Sequence, residues 1–444
     1  MALRYSPLAA ALGLAFSGAA WAQQASEVTL GEVQVRSDRQ LDPSYNPPTA
    51  TSATKIEAPL RDIPQTVNVV PQSLLRDQVA QSMQDALKAV PGVGLSHGDG
   101  QRDQVTIRGF SAIADQFVDG LRDDALYFRD LSNIEQIEVL KGPASVLYGR
   151  GSSGGLINRI TKKPGGNFSE VGLTLGRWNQ RRGEFDLARA PEGGVVSYRL
   201  TGAVERADSY RDQQFLDRKA MAASVLIKPS ADTSVLLQAD YLKDSRLTDF
   251  GIPAYQGRPV NVAPGTYYGA ANARDVDVSR AEVASLGATL NHRISDSLSL
   301  RNAFRYYDYS LDRSNTLVGS VNEKAMTASL TRGDLQRDES GFFNQTELTQ
   351  KLELAGMKHQ LLYGFEFGRQ SKELISYSRA NVATVSLLNP VLPTLPRRID
   401  GKPSADNQSV FKVASVYLQD LVTITPQWKA LAGVRYDRFQ QDTH

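Results

Sequence analysis

The 444-residue sequence contains no cysteine, which excludes a disulfide framework and any thiolate metal site. Histidine is nearly as scarce: His97, His292, His359 and His444 are all there is, and no two are spaced as ligands on one helix face. No metal centre, resident cofactor or catalytic constellation is expected, and the chain does not read as an enzyme. An excess of one charge is missing too, since 50 basic residues stand against 48 acidic ones. No field therefore points to nucleic acid. Beyond the first 22 residues no apolar run approaches the ~18 residues of a membrane helix. A membrane-spanning β-barrel stays open, because its alternating strands escape a hydropathy scan.

The N-terminus carries an address. Arg4, the apolar stretch from Leu8 to Phe16, and Ala20-Trp21-Ala22 before Gln23 follow in the order of an export signal, so residues 1–22 are assigned to it. Residues 23–55 are polar, with Pro43, Pro47 and Pro48, and read as a linker. Within it, Leu30 to Val35 alternates like a strand with no neighbour. A lone strand is unstable by itself but suits addition to the edge of a partner's sheet. On spacing alone, a chance run of valines fits equally well.

Residues 56–165 read as a compact mixed α/β domain. Val67 to Val70 is an apolar strand, and Leu74, Leu75, Val79, Met83, Leu87 and Val90 recur at helical spacing until Pro91-Gly92. Short strands are expected at Gln104 to Ile107, Gln116 to Val118 and Ile134 to Leu140. Ser96 to Asp103, Leu121 to Asp130 and Gly149 to Gly155 are expected as exposed loops.

From 166 to 444 the pattern changes to segments of roughly ten residues that alternate strictly. Val196, Tyr198, Leu200, Gly202 and Val204 face one way, and Ser197, Arg199, Thr201 and Glu205 the other. Leu361, Tyr363, Phe365 and Phe367 oppose Gly364, Glu366 and Gly368. Trp428, Ala430, Ala432, Val434 and Tyr436 oppose Lys429, Gly433, Arg435 and Asp437. Connections alternate between short (such as Pro191 to Gly194 and Thr425 to Gln427) and long (Arg246 to Val278, Asp312 to Arg337, Lys372 to Gln408). That parity fits an antiparallel transmembrane β-barrel with short periplasmic turns and long outer loops; a β-sandwich has no reason to keep it. About eleven such segments are present, an odd count for a bacterial barrel, and a barrel must close in lipid. The whole protein is therefore expected either to continue past His444 or to be a truncated, non-functional remnant.

The domain over 56–165 resembles the plug of TonB-dependent outer-membrane siderophore receptors, of the ferrichrome or catecholate type. The likeness rests on Ser52-Ala53-Thr54-Lys55, on Asp62 through Val67, on Ile107-Arg108-Gly109-Phe110 and on Val118-Asp119-Gly120. It continues through Asn133 to Pro143, Leu147 to Gly151, Gly154 to Asn158 and Thr161-Lys162-Lys163-Pro164. The resemblance implies a plug inside a 22-stranded barrel, of which the eleven strands are half. It implies that Glu32, Val33, Gln34 and Val35 form the TonB box gripped by the TonB energy-coupling protein. It further implies active uptake of a ferric siderophore across the outer membrane, with Arg102, Gln116, Tyr127 and Arg129 as ligand-binding candidates at the plug apices. Arginine suits anionic oxygens and tyrosine a flat chelator, although any of these can equally be an ordinary loop residue. Arg108 and Arg150 are assigned to plug–barrel contacts. The partners expected are thus the siderophore, TonB and outer-membrane lipid.

Other readings are weaker. Gly149-Arg150-Gly151-Ser152-Ser153-Gly154 fits a dinucleotide fingerprint, but Pro164-Gly165-Gly166 leaves no room for the helix that should follow. A passive porin-like channel conflicts with a filled lumen. Haem, vitamin B12 or a sugar remain alternative cargoes.

Overall fold

The computed structural model describes residue 45 and residues 47–444, apart from 57, 97, 152 and 400. The export signal, Glu32 to Val35 and most of the linker lie outside the described residues.

The plug is built on a five-stranded sheet in the order Thr66–Pro71, Ile134–Lys141, Gly155–Thr161, Gln116–Val118, Leu121–Arg122. Only the pairing of Gly155–Thr161 with Gln116–Val118 is parallel. A second sheet joins Val93–Ser96, Gln104–Ile107 and Phe110–Ser111, and Met83, Leu87, Val105, Ile107, Ile137, Val139 and Ile157 seal the core between them. The single helix expected from Leu74 to Val90 is two, Gln72–Asp77 and Met83–Leu87. Val79 adopts φ +51°, which ends the first helix. Ser82 then starts the second, its hydroxyl accepting from the Asp85 amide while the Asp85 carboxylate accepts from the Ser82 amide.

The glycine-rich stretch 149–155 shows why the nucleotide fingerprint misleads. A Cβ at Gly154 would stand 2.2 Å from the Ile107 carbonyl oxygen, and Gly155, at φ +141°, lies against the Leu140 carbonyl. These glycines let two chain segments touch, and a strand follows them rather than a helix.

Residues 168–443 form one sheet of eleven strands, each antiparallel to the next in sequence, from Phe168–Leu175 to Lys429–Thr443. Alternation holds where the strands carry apolar residues on the outer face. Tyr198 is 49% exposed and Val434 64% on the outside, while Glu205 is 5% exposed on the inside. Phe304, Phe342, Phe365 and Phe367 form an aromatic band on the outer surface, with neighbouring centroids 5.9–6.4 Å apart. The wall curves around one flank of the plug. No described helix is long and apolar enough to cross a membrane, which bears on helices alone.

Two expected long loops prove to be hairpin. Strands Leu298–Asn322 and Thr327–Leu354 continue through Asp312 to Arg337, and Met357–Ser386 takes up Lys372 to Ser386 of the expected Lys372 to Gln408. Residues 248–277 do form a long loop, and it is packed: Val260 and Tyr268 meet Ala328, Leu330, Val385 and Leu387 of the hairpins. Arg332 fastens it, donating to the carbonyls of Val276 at 3.1 Å and Arg397 at 2.9 Å, with Asp277 at 3.4 Å. Burial pushes the Asp277 carboxyl up to about 6, against the pull of Arg332 and a hydrogen bond from Thr316.

Candidate functional site: the plug–wall seam and the cleft above it

The plug meets the wall through charge. Asp123, read from sequence as part of an exposed loop, is 1% exposed and lies within ion-pair distance of three guanidiniums. Arg129 and Arg159 come from the plug; Arg305 reaches in from the wall at 3.1 Å. Burial alone would raise the Asp123 carboxyl, but Arg305, Arg159 and Arg129 outweigh it and hold it well below the usual carboxylate range. Asp130 repeats the arrangement. Wall residue Arg182 binds it at 2.8 Å and holds Glu205 at 2.9 Å, and Arg218 stands 3.7 Å away. Its carboxyl is also held low, Arg182 overcoming the cost of burial. Lys162 of the plug shares Asp186 of the wall with Arg199, at 2.9 and 2.8 Å. The segment Leu121 to Asp130 is therefore the buried side of the seam, because its carboxylates answer arginines on the inward face of the wall.

The residues just before the plug belong to the same assembly. Thr49–Ala50 pairs with Ala58–Pro59, and the Ser52 amide donates to Glu138 at 2.7 Å. Lys55 reaches Glu347 at 2.8 Å, Gln345 at 3.0 Å and the Tyr417 hydroxyl at 3.0 Å, all three on the wall. The stretch 49–55 thus packs with the plug and wall, where composition alone placed it in the linker. Burial draws the Lys55 ammonium below its ordinary value, with Glu347 opposing.

At the loop end of the seam lies a cleft of about 420 Å³ between the plug and the first five wall strands. Phe128, Arg177, Trp178, Phe215 and Arg246 line it, with Arg129 and Arg218 in its floor. The Arg246 guanidinium stacks on Phe128 at 3.7 Å, and Trp178 meets the exposed Tyr210 at 6.0 Å. Flat rings and guanidiniums side by side can receive a planar, anionic ligand. Among the described residues no group of three His, Asp or Glu could hold a metal ion.

The sequence-derived candidates fall in different places. Arg129 reaches the cleft but is 2% exposed, and its guanidinium is taken up by Asp123 and by the carbonyls of Tyr127, Asp123 and Ala125. Tyr127 is buried beside it, donating to Asp123 at 2.8 Å. Gln116 is wholly buried within the plug. Arg102 is half-buried at the plug apex, its guanidinium 3.4 Å from Gln104. Gln116, Tyr127 and Arg129 are thus buried, and the exposed loop expected over Leu121 to Asp130 is corrected, since the polar groups of Tyr127 and Arg129 are taken up inside the protein. Arg150 does touch the wall, donating to Gln370 at 3.2 Å and lying over the Phe439 ring at 4.6 Å. Its nearest carboxylate, Asp124 at 3.9 Å, belongs to the plug. Arg108 is exposed and makes no ion pair among the described residues.

Residues 59–156 match the family described as TonB-dependent Receptor Plug Domain, and residues 223–444 match TonB dependent receptor-like, beta-barrel. The chain belongs to the TonB-dependent receptor family. Members of this family are outer-membrane β-barrel transport receptors, not enzymes. The probable TonB-dependent siderophore receptor PiuA of Acinetobacter baumannii is 29% identical, covering 88% of this chain and 56% of that protein. The metal-pseudopaline receptor CntO of Pseudomonas aeruginosa is 30% identical, covering 96% and 61%. The catecholate siderophore receptor Fiu of Escherichia coli is 26% identical, covering 90% and 56%. The chain spans about three-fifths of the length of these relatives. The crystal structure of PiuA superposes with a TM-score of 0.81 at 27% identity, over 87% of this chain and 59% of that one.

Sequence reasoning missed the seam as such. Its signal was present: Arg199 and Glu205 already stand on the face opposite the apolar one, so the wall turns charge of both signs toward the plug.

Proposed function

We propose that this TonB-dependent receptor takes up a ferric siderophore across the outer membrane, binding it in the cleft above the seam. The observation that carries the reading is the cleft itself, where Trp178, Phe215 and Phe128 stand among Arg177 and Arg246 at the loop end of a plugged wall. Relatives named as siderophore receptors support the same class of cargo. A bulky chelate cannot pass a filled lumen, and the outer membrane offers no nucleotide to drive its release. The work would come from TonB, which adds as a strand to Glu32, Val33, Gln34 and Val35 and binds the opened state more tightly than the closed one.

The test is uptake of radiolabelled iron by siderophore-deficient cells carrying the whole receptor. Transport of a ferric catecholate with the native protein is expected. Val33→Pro, which removes a ladder donor, should abolish uptake and leave binding intact. Transport of haem, cobalamin or a sugar in place of any ferric chelate would overturn the cargo reading.

A further inference from the structure

The force described above must enter the plug through its N-terminal segment, and the structure shows what that segment is fastened to. Proceeding from residue 45, the first attachments are to the plug: the exposed Tyr45 hydroxyl on Asp77, the two-residue ladder Thr49–Ala50 with Ala58–Pro59, and the amides of Thr51 and Ser52 on Glu138. Immediately after them the attachment changes body. The Thr54 carbonyl accepts from Gln419 at 3.0 Å, and Lys55 reaches Glu347, Gln345 and Tyr417. These partners sit on strands Thr327–Leu354 and Ala405–Thr423, with a third strand between them. The chain there is tied to the barrel.

Lys55 is built for that hold. Its backbone is left-handed, at φ +57°, closed by its own amide on the Thr51 carbonyl at 2.7 Å. The side chain is 5% exposed, with the Tyr417 and Tyr148 rings 4.9 and 5.3 Å from its nitrogen. The next wall contact along the chain, Asp62 to Lys429, is more exposed on both sides, and pairs of that kind hold weakly.

We propose that Lys55 is the catch between plug and barrel, the restraint a pull on the linker must break before the plug core moves. The ladder and Glu138 meet the tension first, but while Lys55 holds, the segment and the sheet bonded to it stay pinned to the wall. Once it parts, the segment can carry Glu138 and the central sheet with it. A void of about 420 Å³ beside it, lined by Lys55, Asp119, Asn158, Arg301 and Glu347, gives water a place from which to solvate the separated charges. Glu347 keeps a partner after release, since Arg301 binds its other oxygen at 2.9 Å, so the catch can open without stranding a buried carboxylate. Lys55 is a positioning residue and touches no ligand.

This inference rests on the pulling mechanism proposed above, and the experiment separates the two. These 444 residues contain no cysteine, so Ser37→Cys gives them a single thiol handle, placed in the linker, through which the receptor is pulled. The lifetime of the seated plug under constant load is then read one molecule at a time. Lys55→Met should shorten it at least about tenfold, and Lys55→Arg should restore most of the loss. Siderophore binding should not change in either. If Lys55→Met fails to assemble, Tyr417→Phe, which keeps the ring and removes the hydroxyl's two hydrogen bonds, from Lys55 and to Glu347, should shorten the lifetime several-fold. An unchanged lifetime in the variant that assembles would overturn the catch. Uptake that survives Val33→Pro would instead overturn the pulling mechanism and leave the lifetime ratio standing as a measure of Lys55.

Discussion

The plug holds itself together and holds to the wall by opposite means. Its core, around Leu87, Val105, Ile107, Ile137 and Ile157, is apolar and closed. Its seam with the wall is made of carboxylates and guanidiniums, with Asp123, Asp130 and Asp186 as the centres. Apolar packing is lost outright when surfaces part, because water is a poor substitute for it. A buried ion pair differs: much of its attraction is offset by desolvation, so water can replace the partner when the gap opens. The contrast lets one body leave another without coming apart itself. It also makes the seam selective, since a misplaced plug would bury charges without partners.

The largest effect should come from attacking the seam at its centre. Asp123→Asn leaves Arg129, Arg159 and Arg305 buried around a neutral amide, and should lower plug stability by about 3–5 kcal/mol, read from denaturant unfolding of the receptor. A loss no larger than that of an exposed pair would mean the seam is held by shape rather than charge. Leu87→Ala tests the other side of the comparison. A cavity in the sealed core should cost about 3 kcal/mol, and double-mutant analysis should find it additive with Asp123→Asn. Strong coupling between the two would show that core and seam are one unit.

A third test moves to the outer loop, where a seam-like pair sits in a packed setting. The Asp277 carboxyl is raised to about 6 by burial, against Arg332. A carboxyl whose folded value lies above its unfolded one binds more protons when folded. Its contribution is full below the unfolded value, near 4, and is lost as pH rises through about 6. Amide exchange in residues 248–277, corrected for intrinsic rate, should therefore be on the order of tenfold slower at pH 5 than at pH 7.5. Asp277→Asn should remove that difference. The smallest effect belongs to Arg76→Ala. Its pair with Glu170 at 2.8 Å is more than a third exposed on both sides, so the change should stay under about 1 kcal/mol and shrink further in salt.

The strands were legible because lipid on one face and a plug on the other impose a strict period of two. Where that contrast ends, so does the signal. Asp312 to Asn322 and Lys372 to Ser386 stand beyond the aromatic band with no lipid to enforce alternation, and they read as loops although the ladder continues. The seam was hidden for a different reason. Lys55 and Glu347 are 292 residues apart, and Arg305 and Asp123 are 182 apart; no local pattern couples such positions. Tyr127 and Arg129 fall in Leu121 to Asp130, a polar stretch that reads as an exposed loop, and its charged residues serve a buried cluster instead.

One dimension of the wall has its own consequence. Strand Met357–Ser386 is 30 residues long, close to 100 Å at about 3.3 Å per residue, whereas a tilted strand crosses the hydrocarbon with about ten. Most of that ribbon stands in the aqueous space beyond the lipid headgroups, shoulder to shoulder with its neighbour Thr327–Leu354. Anything large arriving from the medium, an antibody or a virus, would collide with this parapet before reaching the bilayer. Substitutions at its tip, around Glu323 to Met326, would alter that first encounter while leaving the cleft below untouched.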